Sequence, residues 1–181
     1  MLRTIFKTVP VAMLALVAGL AGGPDLLVLA LALSALGDLA LSRAGDRAFL
    51  VGLGSFALAH LAYIVLFASL ATGWPALFPV LALVAYAIST EVWLIPYTAA
   101  LRGPVRLYVV LITGMGIAAL ALPGMVSMAL IGAGAFVASD TILAVQLFRL
   151  SPQSRWYAPA EWSLWALYYG AQLLILWAVI G

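Results

Sequence analysis

The sequence has no cysteine and one histidine, His60. The first absence excludes disulfides, thiol nucleophiles and thiolate metal sites, and the second excludes a metal centre built from several imidazoles. Charge is scarce as well: Lys, Arg, Asp and Glu together make 8% of the 181 residues, where a soluble domain carries about 25%. No connection between apolar runs is longer than about 10 residues, which leaves no room for a soluble domain between them. Heptads, low-complexity tracts, nucleotide-binding glycine motifs and a convincing internal repeat are also missing. The net charge of +2 comes from eight dispersed basic residues, a pattern that suits membrane topology and not a nucleic-acid partner.

What is present is hydrophobicity, 67% of all residues. It implies an all-α, polytopic transmembrane helical bundle, expected as one integral-membrane domain over 1–181. A first apolar run ends at Ala21 before Gly22, Gly23 and Pro24, and others cover 26–41, 49–70, 75–96 (or to 100), 105–122, 125–148 and 159–180. That makes seven. A basic start and a short apolar core also fit a signal peptide, but the first run is read here as a span. Several runs fall near or below the ~20 residues that cross a bilayer, so charge has to decide the count. Arg3 and Lys7 precede the first run, Arg43 and Arg47 separate runs two and three, Arg102 and Arg106 runs four and five, and Arg149 and Arg155 runs six and seven. Seven spans therefore put every basic residue on one side, and by the positive-inside rule the N-terminus is cytoplasmic. Gly52, Gly54, Gly114, Gly116, Gly132 and Gly134 are expected to serve close helix packing, and Met13, Met115, Met125 and Met128 to be packing residues.

Four ionisable residues are expected well inside spans: Asp38, His60, Glu91 and Asp140. Asp38 is five residues from Arg43 and Asp140 nine from Arg149, depths of ~8 and ~13 Å at 1.5 Å per residue. Glu91 is 11 residues from Arg102 on the same scale. Acids on one side of the midplane point to a cavity open to the cytoplasmic face. Glu161, at the start of the last span, needs no special role. Ser34 and Asp38 share a helix face, as do Phe56, His60, Tyr63 and Phe67, and Glu161, Trp165, Tyr168 and Gln172, with Tyr169 alongside. A lone intramembrane His or Gln commonly serves as a helix–helix hydrogen-bonding group. Two acids without a basic neighbour at their own depth are harder to explain that way. An apolar cavity favours the neutral acid, which can donate a proton, and a better solvated second carboxylate can act as its base. Glycosidases apply such a pair through an oxocarbenium-like transition state.

Several stretches together resemble the YhhN-like membrane proteins, which include the lysoplasmalogenases: KTVP at 7–10, ALGDLAL around Asp38, GLGSFALAHLAY ending at Tyr63, PVRLY ending at Tyr108, GAGAFVASDTILA around Asp140 and YYGAQLLI at 168–175. They run in the family's order over nearly the whole chain. The resemblance implies hydrolysis of the vinyl ether bond of lysoplasmalogens to a fatty aldehyde and glycerophospho-ethanolamine or glycerophospho-choline, with no metal or cofactor. The family's paired aspartates map onto Asp38 and Asp140. His60 and Tyr63 would orient the pair or the attacking water, Ser34, Ser139, Tyr168, Tyr169 and Gln172 would line the site, and Lys7 and Tyr108 are candidates for the substrate phosphate. For Lys7 a snorkelling topology marker is the competing role. Competing functions are a proton-coupled transporter, whose usual mark is a repeat with broken helices; a metal-dependent intramembrane amidase, which needs more histidines; and a relative of the same fold acting on another lysophospholipid or ether lipid.

Overall fold

Gly22 and Gly45 adopt φ of 71° and 107°, backbone that a Cβ would strain, and they turn the chain between the first three helices. The computed structural model describes residues 2–181, with the side chains of residues 2–6 and of Met125 outside the description; the roles expected for Arg3 and Met125 therefore lie outside the described residues. Seven helices form: α1 (Leu2–Leu20), α2 (Asp25–Leu41), α3 (Asp46–Leu70), α4 (Leu77–Trp93), α5 (Arg102–Ala119), α6 (Ser127–Phe148) and α7 (Tyr157–Ile180), with short 3-10 turns at Ile95–Tyr97, Ala99–Leu101 and Gly124–Val126. No strand occurs among the described residues. Lipid offers no partner to a backbone N–H or C=O, so a chain this apolar must bond its backbone within each segment.

Five segments are long and apolar enough to cross a membrane: Asp46–Leu70, Leu77–Tyr97, Ala99–Ala119, Ser127–Phe148 and Tyr157–Ile180. Among the described side chains α1 contributes a shorter apolar stretch, Lys7–Leu20, and α2 has 17 residues, ~26 Å at 1.5 Å per residue, slightly under a ~30 Å hydrocarbon core. All seven expected segments are thus helices, and α1 and α2 pack against each other.

Helices α1, α2, α3, α5, α6 and α7 close a ring in that order, α7 returning to α1, while α4 stands outside it against α5. The polarity runs opposite to that of a soluble protein. Ser34, His60, Ser139 and Gln172 are buried, whereas Leu16, Leu36, Leu58, Val65, Ile88, Val110 and Trp177 are exposed. Exposed apolar surface on every outer helix face belongs in contact with lipid. At one end of the ring Lys7, Arg43, Leu101 and Tyr157 line a single cavity, which puts the start of α1 and three connections on the same side, as the charge pattern requires. At the other end a Cβ on Gly23 would lie 2.9 Å from Ile180.

The glycine expectation separates into two groups. A Cβ on Gly132 would lie 2.8 Å from Ile175 Cγ1 and 2.9 Å from the Ala171 carbonyl oxygen, and one on Gly52 2.7 Å from Leu41. These glycines let α6 meet α7 and α3 meet α2. Gly114 and Gly116 face Ile64 and Leu83 more loosely, and Gly54 and Gly134 face open space. Met115 is fully buried, but Met13 and Met128 are half-exposed on the outer surface.

Glu91 departs from expectation. Helix α4 ends at Trp93 and α5 already begins at Arg102, so Glu91 is two residues from the end of its α-helix and six from the end of the apolar segment that closes at Tyr97. It is exposed and accepts two hydrogen bonds from Arg106, Nε to Oε1 at 2.8 Å and Nη2 to Oε2 at 2.7 Å. Counting from Arg102 misplaced it because the chain between α4 and α5 is taken up by two 3-10 turns that lie at the basic end.

Candidate active site

Asp38 lies three residues before the end of α2 and Asp140 eight before the end of α6. Both helices run toward the basic end, and helical Cα–Cβ bonds lean toward the N-terminus, so both carboxyls point back into the bundle. They open on one cavity of about 600 Å³. Its mouth carries Lys7, Arg43, Asp46 and Glu161, its walls Phe56, Leu143, Trp165 and Tyr168, and its lining includes no residue from the far end of the ring.

Each carboxylate is held by a tyrosine from another helix. Tyr168 Oη donates to Asp38 Oδ2 at 2.8 Å, and Tyr108 Oη donates to Asp140 Oδ2. Ser139 Oγ lies 3.4 Å from Asp140 Oδ1, a weak contact by distance. Among the described residues neither aspartate forms an ion pair with Lys or Arg. The nearest base to Asp140 is His60, Nε2 to Oδ2 at 3.8 Å.

Beneath the carboxylates the fully buried Phe136 packs against the rings of Phe56, His60, Tyr63 and Tyr168 at centroid distances of 4.8 to 6.4 Å. The glycine of the GD pair belongs to this wall. A Cβ on Gly37 would lie 2.6 Å from the ring carbons of Phe56, so only glycine lets that ring sit against α2 one residue before Asp38. Below Phe136, Tyr63 Oη donates to Gln172 Oε1 at 2.5 Å, joining α3 to α7. Both ring nitrogens of His60, the Gln172 Nε2 and the Ser34 Oγ are buried without a hydrogen-bond partner among the described residues. Groups of this kind hold water or substrate polar atoms, because leaving them unmet costs about 1–3 kcal/mol each.

A family model for the YhhN family matches residues 2–179. The chain belongs to the YhhN family. Comparison with curated proteins and with solved structures gives no match. Of the residues singled out in this YhhN chain, Lys7, Asp38, Ser139, Asp140 and Tyr168 line the cavity, and Ser34, His60, Tyr63 and Gln172 are wholly buried around it. Two fall elsewhere. Tyr108, expected beside Lys7 for a phosphate, bonds Asp140 and meets His60 edge-on at 5.1 Å. Tyr169 stacks on Trp165 at 5.5 Å and does not line the cavity. Lys7 reaches Glu161 at 3.2 Å, which gives Glu161 a partner at the mouth. Arg43 and Asp46, read from sequence only as hairpin residues, also line the cavity, and Phe136 carried no signal beyond hydrophobicity.

Proposed function

We propose that this YhhN protein hydrolyses the vinyl ether bond of lysoplasmalogens, releasing a fatty aldehyde and glycerophospho-ethanolamine or glycerophospho-choline. The observation that carries the reading is the pair of carboxylates, Asp38 on α2 and Asp140 on α6, that share a cavity while neither is ion-paired to a Lys or Arg among the described residues. One carboxylic acid delivers a proton to the β-carbon of the vinyl ether, giving an oxocarbenium ion. The other, ionised, stabilises that cation and takes a proton from the water that adds to the α-carbon; the hemiacetal then collapses to aldehyde and alcohol. Positioned acid–base groups contribute about 10²–10⁴-fold to such steps. Lys7, at the cavity mouth, binds the phosphate, and His60, 3.8 Å from Asp140, orients the pair and its water. A cavity lined from one end only, above the packed rings around Phe136, supports hydrolysis over transport. The cell membrane, the inner membrane in a bacterium, is the proposed location, with the basic end cytoplasmic.

The test is incubation of the purified protein with a lysoplasmalogen, an acyl lysophospholipid and an alkyl-ether lysophospholipid, following aldehyde and free acid separately. Aldehyde from the first alone is the expected result. Free acid from the second would move the assignment to a lysophospholipase of the same fold, and no product from any would refute hydrolysis of this lipid class.

A further inference from the structure

A second, smaller cavity of about 70 Å³ lies between α3, α4, α5 and α6. We infer that it holds the first carbons of the substrate's hydrocarbon chain, and that Asp140 is consequently the proton donor and Asp38 the group that serves the water. The inference rests on the vinyl ether reading above.

The slot and the polar cavity share a wall of seven residues, of which Asp140 is the one ionisable side chain, whereas Asp38 lines only the polar cavity. The slot presents carbon to its interior even where its residues are polar. Tyr108 donates to Asp140, and Thr90 Oγ1 donates to the Ala87 carbonyl. Thr141 Oγ1 donates to the Val137 carbonyl at 2.7 Å, which commits its single proton, so Tyr86 Oη is the donor in the 2.5 Å contact between those two hydroxyls. Apart from Asp140, the charged residues of the larger cavity, Lys7 and Arg43 among them, line that cavity alone. A lysophospholipid spanning the two spaces lies with its glycerophosphate in the polar cavity and its chain in the slot.

Size says how much of the chain fits. The slot has about half the volume of the 150 Å³ cavity that takes benzene, so it accepts two or three carbons and the remainder must leave it. Helix α4 packs closely against α5 and meets α6 through side chains, by Tyr86–Thr141 and by Arg149 Nη1 donating to the Trp93 carbonyl at 2.6 Å. Thr90 is the one buried residue of α4. The seam between α4 and α6 is thus the short way from the slot to lipid, with Tyr86 and Thr141 fastening it.

The orientation fixes the roles. In the vinyl ether the β-carbon bears the chain and the α-carbon bears the oxygen that leads to glycerol. The proton of Asp140 passes to the β-carbon, drawing on the C=C electron pair. Water from the polar cavity adds to the α-carbon as Asp38 takes its proton; cleavage of the hemiacetal C–O bond then returns that proton to the departing glycerol oxygen, while the hemiacetal hydroxyl proton passes to Asp140 and restores its acid form.

The experiment uses the full-length protein in phospholipid nanodiscs with an alkyl-ether lysophosphatidylethanolamine that carries a diazirine at the third carbon of the chain. Having no double bond, this probe is not turned over, so labelling does not depend on the reaction, and aldehyde release from a true lysoplasmalogen is measured in parallel. After irradiation the labels are expected in peptides covering residues 86–93 and 137–148. They should be displaced by unlabelled alkyl-ether lipid and fall by about tenfold or more in Ala144→Phe, which fills the slot. Labels confined to other helices, or scattered over outer surfaces without displacement, overturn the inference even if aldehyde is formed. Displaceable slot labelling without aldehyde leaves the slot assigned and refutes the vinyl ether reading and the acid assignment with it.

Discussion

Tyr168→Phe separates the chemistry of the carboxylate pair from the packing around it. The change deletes one oxygen, 2.8 Å from Asp38 Oδ2, and keeps the ring that meets Phe56 at 5.8 Å and Phe136 at 5.4 Å. A hydrogen bond to an ionised group contributes about 1.5–3 kcal/mol, and each 1.36 kcal/mol on a barrier is tenfold in rate. If Asp38 must be ionised and correctly turned to receive the proton of water, the loss in kcat/KM is about 10- to 150-fold. The lower end is expected, because the cavity admits water that can replace the missing donor. Unfolding in detergent should be unchanged, since no apolar contact is lost and the freed carboxylate remains in contact with the cavity. The assay is aldehyde release from lysoplasmalogen by purified variants, with Tyr169→Phe as the control, its ring stacked on Trp165 outside both cavities. Wild-type kcat/KM in Tyr168→Phe would refute a working role for the Asp38–Tyr168 bond. An equal loss in Tyr169→Phe would show that the effect comes from disturbing α7 as a whole.

Other expectations follow from the same geometry. Asp38→Asn and Asp140→Asn should each lower turnover by at least about 10²-fold while the protein stays monodisperse in detergent; a purified variant with wild-type turnover would remove its residue from the reaction. Lys7→Ala should raise KM by about tenfold with kcat unchanged if it binds phosphate in ground and transition states alike, and a fall in kcat alone would contradict that. Gly132→Ala forces a Cβ against the Ala171 carbonyl at 2.9 Å and should destabilise by about 1–3 kcal/mol in reversible detergent unfolding, whereas Gly134→Ala, with nothing near its Cβ, should be neutral. Glu91→Gln breaks only an exposed pair with Arg106 and should leave turnover intact, so a large loss there would return Glu91 to the list of working acids.

The helices were readable because hydropathy and the positions of eight basic residues are properties of the chain alone. Distance from a helix end was readable only where helices continue without interruption. Asp38 and Asp140 each lie on a helix that runs straight to a basic connection, whereas for Glu91 3-10 turns occupy the counted residues. Spacing identified the buried face of α3, on which Phe56, His60, Tyr63 and Phe67 are all buried. It did not say what each of those residues meets. That depends on the order of helices in the ring, which no local pattern encodes. Tyr108 illustrates the difference: its height in the membrane suited a phosphate, but α5 stands between α3 and α6 in the ring and so turns the hydroxyl to Asp140.

That helix order also bears on how one site can receive both water and hydrocarbon. Hydrolysis of a lipid needs the two on opposite sides of one bond. Six helices in a ring give a cavity with charged residues at its mouth, and such a cavity alone would bring water to both carbons of the substrate. Helix α4, the member left outside, adds an apolar wall of its own through Tyr86, Thr90 and Trp93. Asp140 is the one ionisable residue in the wall that the two spaces share. In the proposed reaction the oxygen-bearing carbon, the electrophilic one, would face Asp38 and the water, and the chain would lie in the dry space. An element with one buried residue would thus supply the dry side of the proposed site.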